Sequence, residues 1–262
     1  MSLEVLFEKM WDQYSELNPQ AQEIHNLLEK TGGKISNDHV AYRSVNLPGF
    51  GVDTLKAPLL AKGYKICGEY RFEQKKLYAI HLEHEDKSLP KVFISELLLE
   101  ELSPRAQELY KETLKGAVLP EGEAVLTSGR TWPVDYKVYE ELYKESEYAA
   151  WLLAFGYCAN HFTINVNELS DFSDLVELNA FLEKNGYKLN ESGGKIKGSK
   201  EVFLEQSSTM AGELGVSFAD GEKKVPSCYY EFALRHKMEN GELYQGFVAG
   251  SADKIFESTN KL

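Results

Sequence analysis

The residues able to do chemistry in this chain are two histidines and one glutamate that lie far apart in sequence. His39 opens the segment HVAYRSV and His161 opens HFTINV, both rich in β-branched and aromatic residues and both reading as strands. Side chains alternate faces along a strand, so His39, Ala41 and Arg43 share one face, and His161, Thr163 and Asn165 share another. The small Ala41 leaves space beside the imidazole. Glu231 lies in CYYEFALR on a face with Tyr229, Ala233 and Arg235. Flanked by Tyr229, Tyr230 and Phe232, its carboxylate needs a cation or a proton. Two imidazoles and a carboxylate on strands make a candidate 2-His-1-carboxylate triad, which leaves coordination positions open and suits non-heme Fe(II). Read alone, either histidine is an ordinary core or surface residue, and Glu231 a salt-bridged strand residue.

A repeat sets the pair apart. NDHVAYRSVN aligns with ANHFTINVNE, AKGYKI with KNGYKL, and KVFISEL with CYYEFAL, so the two histidines hold the same position in two copies. The other histidines lack this support: His81 and His84 fall on opposite faces of one strand, His25 sits on a helix and His236 at a strand end, and all four read as structural.

The elements that must position these residues follow from periodicity. Residues 1–35 read as N-terminal helices, with Leu3, Leu6, Phe7, Met10, Trp11 and Tyr14 on one face and a break at Gly32-Gly33. Residues 36–98 read as strand, short helix (VDTLKAPLLAKGY, closed by Gly63) and three strands (YKICGEYRF, KLYAIHLEH, KVFISEL). Residues 99–155 read as a helical insertion, with SPRAQELYKETL and VYEELYKESEYAAWLLAFG as amphipathic helices. Residues 156–262 repeat the first pattern, with YKLNES, GKIKG, EVFLEQSS and SCYYEFALRH as strands and a C-terminal helix. The reading is an α+β chain of two βαβββ modules with an inserted helical segment, forming a single domain.

Composition narrows the function classes. The 262 residues carry 29 Lys+Arg against 41 Asp+Glu, a net charge of −12, which argues against a protein that tracks nucleic acid and disfavours an anionic membrane surface. Cys67, Cys158 and Cys228 are scattered singly, so no disulfide framework is expected, and MSLEVLFEKMWDQYSEL has no apolar signal-peptide run. The expectation is a cytoplasmic protein.

Three further features could serve a ligand. Arg43 stands four residues beyond His39, roughly 13 Å along the strand, and its guanidinium either grips a carboxylate of a small dicarboxylate or pairs with Asp38 or a nearby acid. FVAGSADKIFEST reads as a strand end, a glycine and a helix capped by Ser251, a carboxylate site or an ordinary cap. Gln206, in EQSSTMA, either supports a metal ligand or belongs to a turn. Two rival readings use the same frame. In one, Glu96 joins His39, His161 and Glu231 in a four-ligand, glyoxalase-like Zn(II) or Ni(II) isomerase or lyase. In the other, the chain binds a small anion without metal, and Glu231 pairs with Arg235 or a lysine.

The blocks NDHVAYRSV, SEYAAWLLAFGYCANHFTINVN, EQSSTMA, VPSCYYEFALR and GFVAGSADKIFEST resemble the 2-oxoadipate dioxygenase/decarboxylase (2-hydroxyglutarate synthase) family of the vicinal oxygen chelate superfamily, over about residues 5 to 260. The resemblance implies a curved, half-open sheet around an Fe(II) site held by His39, His161 and Glu231. It implies that Arg43 holds the substrate's distal carboxylate, with backbone and hydroxyl contacts from Gly250 and Ser251, and that a 2-oxo acid and O2 are the partners. The chain has Ala249-Gly250-Ser251 where longer members carry Pro-Val-Ser, and it lacks their large insertion after the glutamate.

Overall fold

The computed structural model describes residues 1–31 and 34–260; the Gly32-Gly33 break lies outside the described residues. Helix α1 (Leu3–Leu17) starts where the Ser2 hydroxyl accepts from the Val5 N–H, and it buries Leu6, Met10 and Tyr14. Asn18 then leads into α2 (Pro19–Glu29), whose first residue is a proline that forgoes only an N–H the first turn cannot use. The first module follows as β1 (Asn37–Val45), α3 (Val52–Leu60), β2 (Lys65–Phe72), β3 (Leu77–Glu83) and β4 (Lys91–Leu97). The insertion supplies α4 (Pro104–Thr113), α5 (Tyr136–Tyr143) and α6 (Glu147–Phe155). The second module is β5 (Ala159–Asn165), α7 (Leu175–Lys184), β6 (Lys197–Ser199), β7 (Leu204–Ser208), β8 (Glu213–Phe218), β9 (Gly221–Pro226) and β10 (Tyr229–Arg235), closed by α8 (Ala249–Ile255).

Eight strands form one sheet in the order β2-β3-β4-β1-β5-β10-β7-β6. Each module contributes four, and the halves correspond: β1 pairs parallel with β4, β5 pairs parallel with β10, and β1 meets β5 antiparallel at the centre. The central strands β1, β5 and β10 are buried along nearly their whole length, because helices cover one face and the site closes the other. Tyr14 of α1 fastens the helical layer to the site by donating its hydroxyl to the Tyr229 carbonyl at 2.5 Å.

Several expectations are corrected. VYEELYKESEYAAWLLAFG is two helices, because the Ser146 hydroxyl caps a new start by accepting from Ala149 N–H. The second of them, α6, is buried on every side apart from Glu147 and so is not amphipathic. Gly156 ends it at φ +70°, where a Cβ would lie 2.2 Å from the Gly129 carbonyl oxygen. YKLNES forms no strand: the Asn190 side chain accepts from Ser192 N–H and donates to Lys254 O and Ser258 Oγ, leaving only a bridge from Leu189 to Thr209. GKIKG shrinks to the three-residue β6. The β8–β9 hairpin was not anticipated, although Asp220-Gly221 sits at its turn with φ +119° at the glycine. No strand precedes α8, which begins at Ala249 after a Val248 N-cap, so Ser251 lies inside the first turn and caps nothing.

Candidate metal centre

The alternation that placed His39 and His161 on strand faces also brings them together. Across the β1–β5 ladder His39 faces Thr163 and Ala41 faces His161, so the small alanine makes room for the second imidazole. Across the β5–β10 ladder Thr163 faces Glu231 and His161 faces Tyr229. His39, His161 and Glu231 each present one donor atom, all within 4.8 Å of one another. Nε2 of His161 lies 3.3 Å from Glu231 Oε2, and Nε2 of His39 lies 3.6 Å from Glu231 Oε1. All three side chains are buried.

Each imidazole is held by the residue just before it. Nδ1 of His39 bonds to Asp38 Oδ1 at 2.8 Å, and Nδ1 of His161 to Asn160 Oδ1 at 3.1 Å. An oxygen that can only accept fixes the proton on Nδ1 and leaves the Nε2 lone pair facing the partner ring and the carboxylate. The Thr163 hydroxyl, 3.0 Å from His39 Nε2, donates to that lone pair. Asp38 is anchored in turn by Arg235, whose Nε and Nη2 reach it at 2.6 and 2.8 Å. Burial alone would raise the Asp38 carboxyl, but the Arg235 guanidinium outweighs it and holds Asp38 well below the usual carboxylate range.

Electrostatics suit a cation at the centre. Burial lowers both imidazoles below their usual pKa, His161 strongly, with the neighbouring His39 adding to the effect, so both are neutral donors. Burial pushes Glu231 up to about 8 against the pull of Gln206, whose Nε2 donates to Oε1 at 2.5 Å. A carboxyl beside two neutral imidazoles, with no cationic side chain in contact among the described residues, is costly to ionise until a positive charge arrives. Two ring nitrogens and a carboxylate oxygen, with the second nitrogen of each ring tied off, fit a first-row divalent metal. A cavity of about 20 Å³ adjoins them, lined by Tyr229, Phe93, Phe247 and α8 residues Ala252 and Ile255, with room for one solvent-sized group.

The other candidates fall elsewhere. Arg43 is fully buried between the rings of Tyr148 and Trp151; its Nη1 donates to Glu147 at 2.7 Å and its Nη2 to Thr259 at 2.9 Å. Its acid partner is therefore Glu147 of α6, and Asp38 belongs to Arg235. Gly250 and Ser251 do not line the cavity. Gln206 supports Glu231 directly.

Glu96 stands outside the cluster, accepting from the Val52 N–H at the start of α3 at 2.7 Å, which removes the four-ligand arrangement. The strand registers show why. Lys91 faces His39 as Tyr229 faces His161, so Phe93, not Glu96, is the counterpart of Glu231, and the alignment of KVFISEL with CYYEFAL was one residue out of step. Among the described residues Glu231 touches neither Arg235 nor a lysine, contrary to the metal-free reading.

Asp38, Asn160, Tyr229 and Phe93 were not foreseen as parts of the site. The repeat held the signal for the first two, since the aligned triplets NDH and ANH put Asp38 and Asn160 in one position. Strict alternation, which sends the preceding residue to the opposite face, concealed it.

Two repeats joined in one curved sheet, with two histidines and a glutamate gathered at its centre, define a mixed α+β fold built around a candidate metal centre. A glyoxalase-superfamily structure from Ralstonia eutropha shares the fold, at TM-score 0.74 and 23% identity over 94% of this chain and 85% of that one. The sequence model of the 2-oxoadipate dioxygenase/decarboxylase family matches residues 4–125 and 123–242. The rice (Oryza sativa subsp. japonica) 2-oxoadipate dioxygenase/decarboxylase, chloroplastic/amyloplastic, is 38% identical over 94% of this chain and 76% of its own. The crystal structure of the hydroxyglutarate synthase from Oryza sativa in complex with 2-oxoadipate superposes with TM-score 0.89 at 36% identity, over 97% of this chain and 91% of that one. A protein of known structure from Shewanella frigidimarina is 46% identical with TM-score 0.88, over 94% of this chain and 97% of that one. The chain belongs to the 2-oxoadipate dioxygenase/decarboxylase family. Among its described residues no helix is long and apolar enough to cross a membrane.

Proposed function

We propose that this protein is an Fe(II)-dependent dioxygenase/decarboxylase that converts 2-oxoadipate and O2 to 2-hydroxyglutarate and CO2, a step of lysine breakdown. The observation that carries the reading is the buried His39–His161–Glu231 group, with both outer ring nitrogens tied off, in a member of this family. When bound, Fe(II) supplies adjacent open positions for a 2-oxo acid and O2 and the electrons with which O2 is activated.

The chain's own residues do the rest. His39 and His161 offer neutral Nε2 donors whose orientation Asp38 and Asn160 fix before any ligand arrives. Glu231 gives up its proton on metal binding, while Gln206 stays on Oε1 and steadies the carboxylate. Phe93 and Phe247 close the cavity with apolar surface and keep bulk water from the reacting centre. The Phe247 ring meets His39 edge-on at 4.8 Å, and a six-carbon acid exceeds the present cavity, so the segment carrying Phe247 must yield to admit substrate. Arg43, four residues beyond His39, takes the carboxylate remote from the metal, its charge kept in place by Glu147. The partners are a small 2-oxo acid and O2, with no nucleic acid or membrane. The free cysteines support a cytoplasmic location.

The test is O2 consumption by anaerobically prepared, Fe(II)-loaded protein on adding 2-oxoadipate, with Zn(II)-loaded protein as control. Uptake with Fe(II) alone, matched by equal CO2 release, is expected. Absence of uptake with iron shown to be bound would overturn the proposal.

A further inference from the structure

Two buried polar atoms find no hydrogen-bond partner among the described residues: the hydroxyl of Tyr229, which lines the cavity, and Nε of Arg43, which lies behind that lining. Buried polar atoms are seldom left unpaired, and those at a functional site are commonly completed by a ligand. Tyr229 is wholly buried, lines the cavity, and stacks on the His161 ring with centroids 4.5 Å apart at 24°. Its backbone is fixed from behind, because Tyr14 donates to its carbonyl, so the ring has a firm base although its tip is unpaired. Arg43 bonds to Glu147 through Nη1 and to Thr259 through Nη2, while its Nε has no partner among the described residues. The two groups lie within electrostatic reach, each among the charges acting on the other.

Both unpaired atoms are donors at neutral pH, a phenol O–H and a guanidinium N–H, with no acceptor set beside them. Two unpaired donors within electrostatic reach of each other match the two oxygens of a carboxylate. The group they take is not the carboxylate that chelates the metal, since Arg43 stands four residues along β1 from His39. We propose that the Tyr229 hydroxyl is a specificity-determining donor that joins Arg43 Nε in holding the metal-remote carboxylate of a dicarboxylic 2-oxo acid. The inference rests on the function proposed above and names how that site tells a dicarboxylic from a monocarboxylic 2-oxo acid. The first repeat has no equivalent group, because Lys91 occupies the matching register position.

The experiment is Tyr229→Phe, which keeps the stacked ring and deletes one oxygen. Two acids of equal chain length are compared: 2-oxoadipate, and 2-oxohexanoate, which lacks the second carboxylate. In Fe(II)-loaded protein the preference for 2-oxoadipate, as the ratio of the two kcat/KM values, should fall about tenfold or more through a rise in KM for 2-oxoadipate. Calorimetric binding to Zn(II)-loaded protein, which needs no turnover, should show the same loss for 2-oxoadipate and little for 2-oxohexanoate. Equal losses for both acids, or none for either, would overturn the proposal. The unfolding midpoint of the metal-free variant should equal or exceed that of the wild type, because an unpaired hydroxyl has been removed from the interior. A clearly lowered midpoint would give the hydroxyl a structural partner and overturn the assignment. If the variant does not accumulate folded, the wild-type Zn(II) protein decides: affinities for the two acids within about threefold would overturn it, and a wider gap in favour of 2-oxoadipate would support it. Wild-type protein that consumes no O2 but still binds 2-oxoadipate selectively would remove the proposed reaction and leave the clamp standing.

Discussion

The two repeats share a backbone and differ in chemistry. In both, a histidine at the start of the first strand points Nε2 to the centre and ties Nδ1 to the residue before it. In both, a parallel partner strand places a side chain opposite the residue two beyond the histidine. In the second repeat that side chain is Glu231, opposite Thr163; in the first it is Phe93, opposite Ala41. A frame able to deliver four ligands therefore delivers three, and the fourth place is an aromatic wall against Phe247 with ring centroids 4.9 Å apart. A four-ligand site suits a metal acting as a Lewis acid, whereas three ligands leave adjacent positions for two reactants. The supports differ too. His39 leans on a carboxylate pinned by Arg235, and His161 on a neutral amide whose Nδ2 has no hydrogen-bond partner among the described residues.

The largest expected effect comes from erasing that asymmetry at its centre. Phe93→Glu places a carboxylate opposite Ala41, where the second repeat has one opposite Thr163. Protein loaded with a divalent metal should keep or gain affinity for Zn(II), while O2 uptake with 2-oxoadipate drops below detection as an open position is filled. Metal content by elemental analysis and oxygen electrode traces check both halves. A variant that still consumes O2 at the wild-type rate would show that Phe93 does not stand where a ligand could reach.

A smaller effect follows from making the supports alike. Asp38→Asn gives the first repeat the amide of the second and keeps an acceptor for His39 Nδ1. It also leaves the Arg235 guanidinium buried without its anion, although the Tyr244 and Gly246 carbonyls still accept from Nη1. Losing one partner of a buried ion pair costs about 3–5 kcal/mol, and disturbing a ligand's support costs about 10–100-fold in metal affinity. Chemical denaturation and competition with a metal chelator measure the two losses. A stability loss without an affinity loss would make Asp38 purely structural.

Gln206→Leu, third in size, removes the amide that donates to Glu231 Oε1. Metal affinity should fall by about tenfold, the lower end for such supports, with little change in the unfolding midpoint, since the glutamine Oε1 is itself unpaired. Unaltered affinity in chelator competition would reduce Gln206 to filling space.

How much of this was legible in the chain follows from what each feature depends on. The triad could be read because period-two alternation and an internal repeat are both local patterns, and together they placed His39, His161 and Glu231 on matching strand faces. The βαβββ order could be read for the same reason, since hydrophobic period and Gly63 mark the elements directly. The pairing of β4 with β1 could not, because it is set by cross-strand hydrogen bonds between distant segments, and an alignment one residue out of step hid Phe93 as the counterpart of Glu231. The partner of Arg43 was hidden for a related reason. Glu147 comes from α6, whose position depends on Tyr148 bonding to Ser44 of β1 and Trp151 to the Ser227 carbonyl just before β10, which no local periodicity encodes. Ser251 was misread because a serine after Gly250 looks like a cap, while the helix had already begun at Ala249.

The smallest effect is one of pH, and it separates the two kinds of ligand. In the metal-free protein the folded state holds a proton on Glu231 up to about 8, whereas the unfolded chain releases it near 4.5. The native state thus binds more protons across that window, and this group's contribution to stability falls as pH rises from about 5 to 8. The histidines act with opposite sign: folding lowers their pKa from 6.5, so the unfolded state binds more protons below that value, and their contribution rises with pH until about 6.5. Of the three candidate ligands only the glutamate still titrates between pH 6.5 and 8. Metal-free wild-type protein should therefore lose stability over that interval relative to Glu231→Gln, which cannot titrate there. Metal binding at pH 7 should release about one proton, from the carboxyl and not from the already neutral imidazoles, and the release should vanish above pH 8. Calorimetry in two buffers of different ionisation enthalpy counts that proton directly. Release of two protons at pH 7 would assign charge to a histidine and undo the division of roles between the repeats.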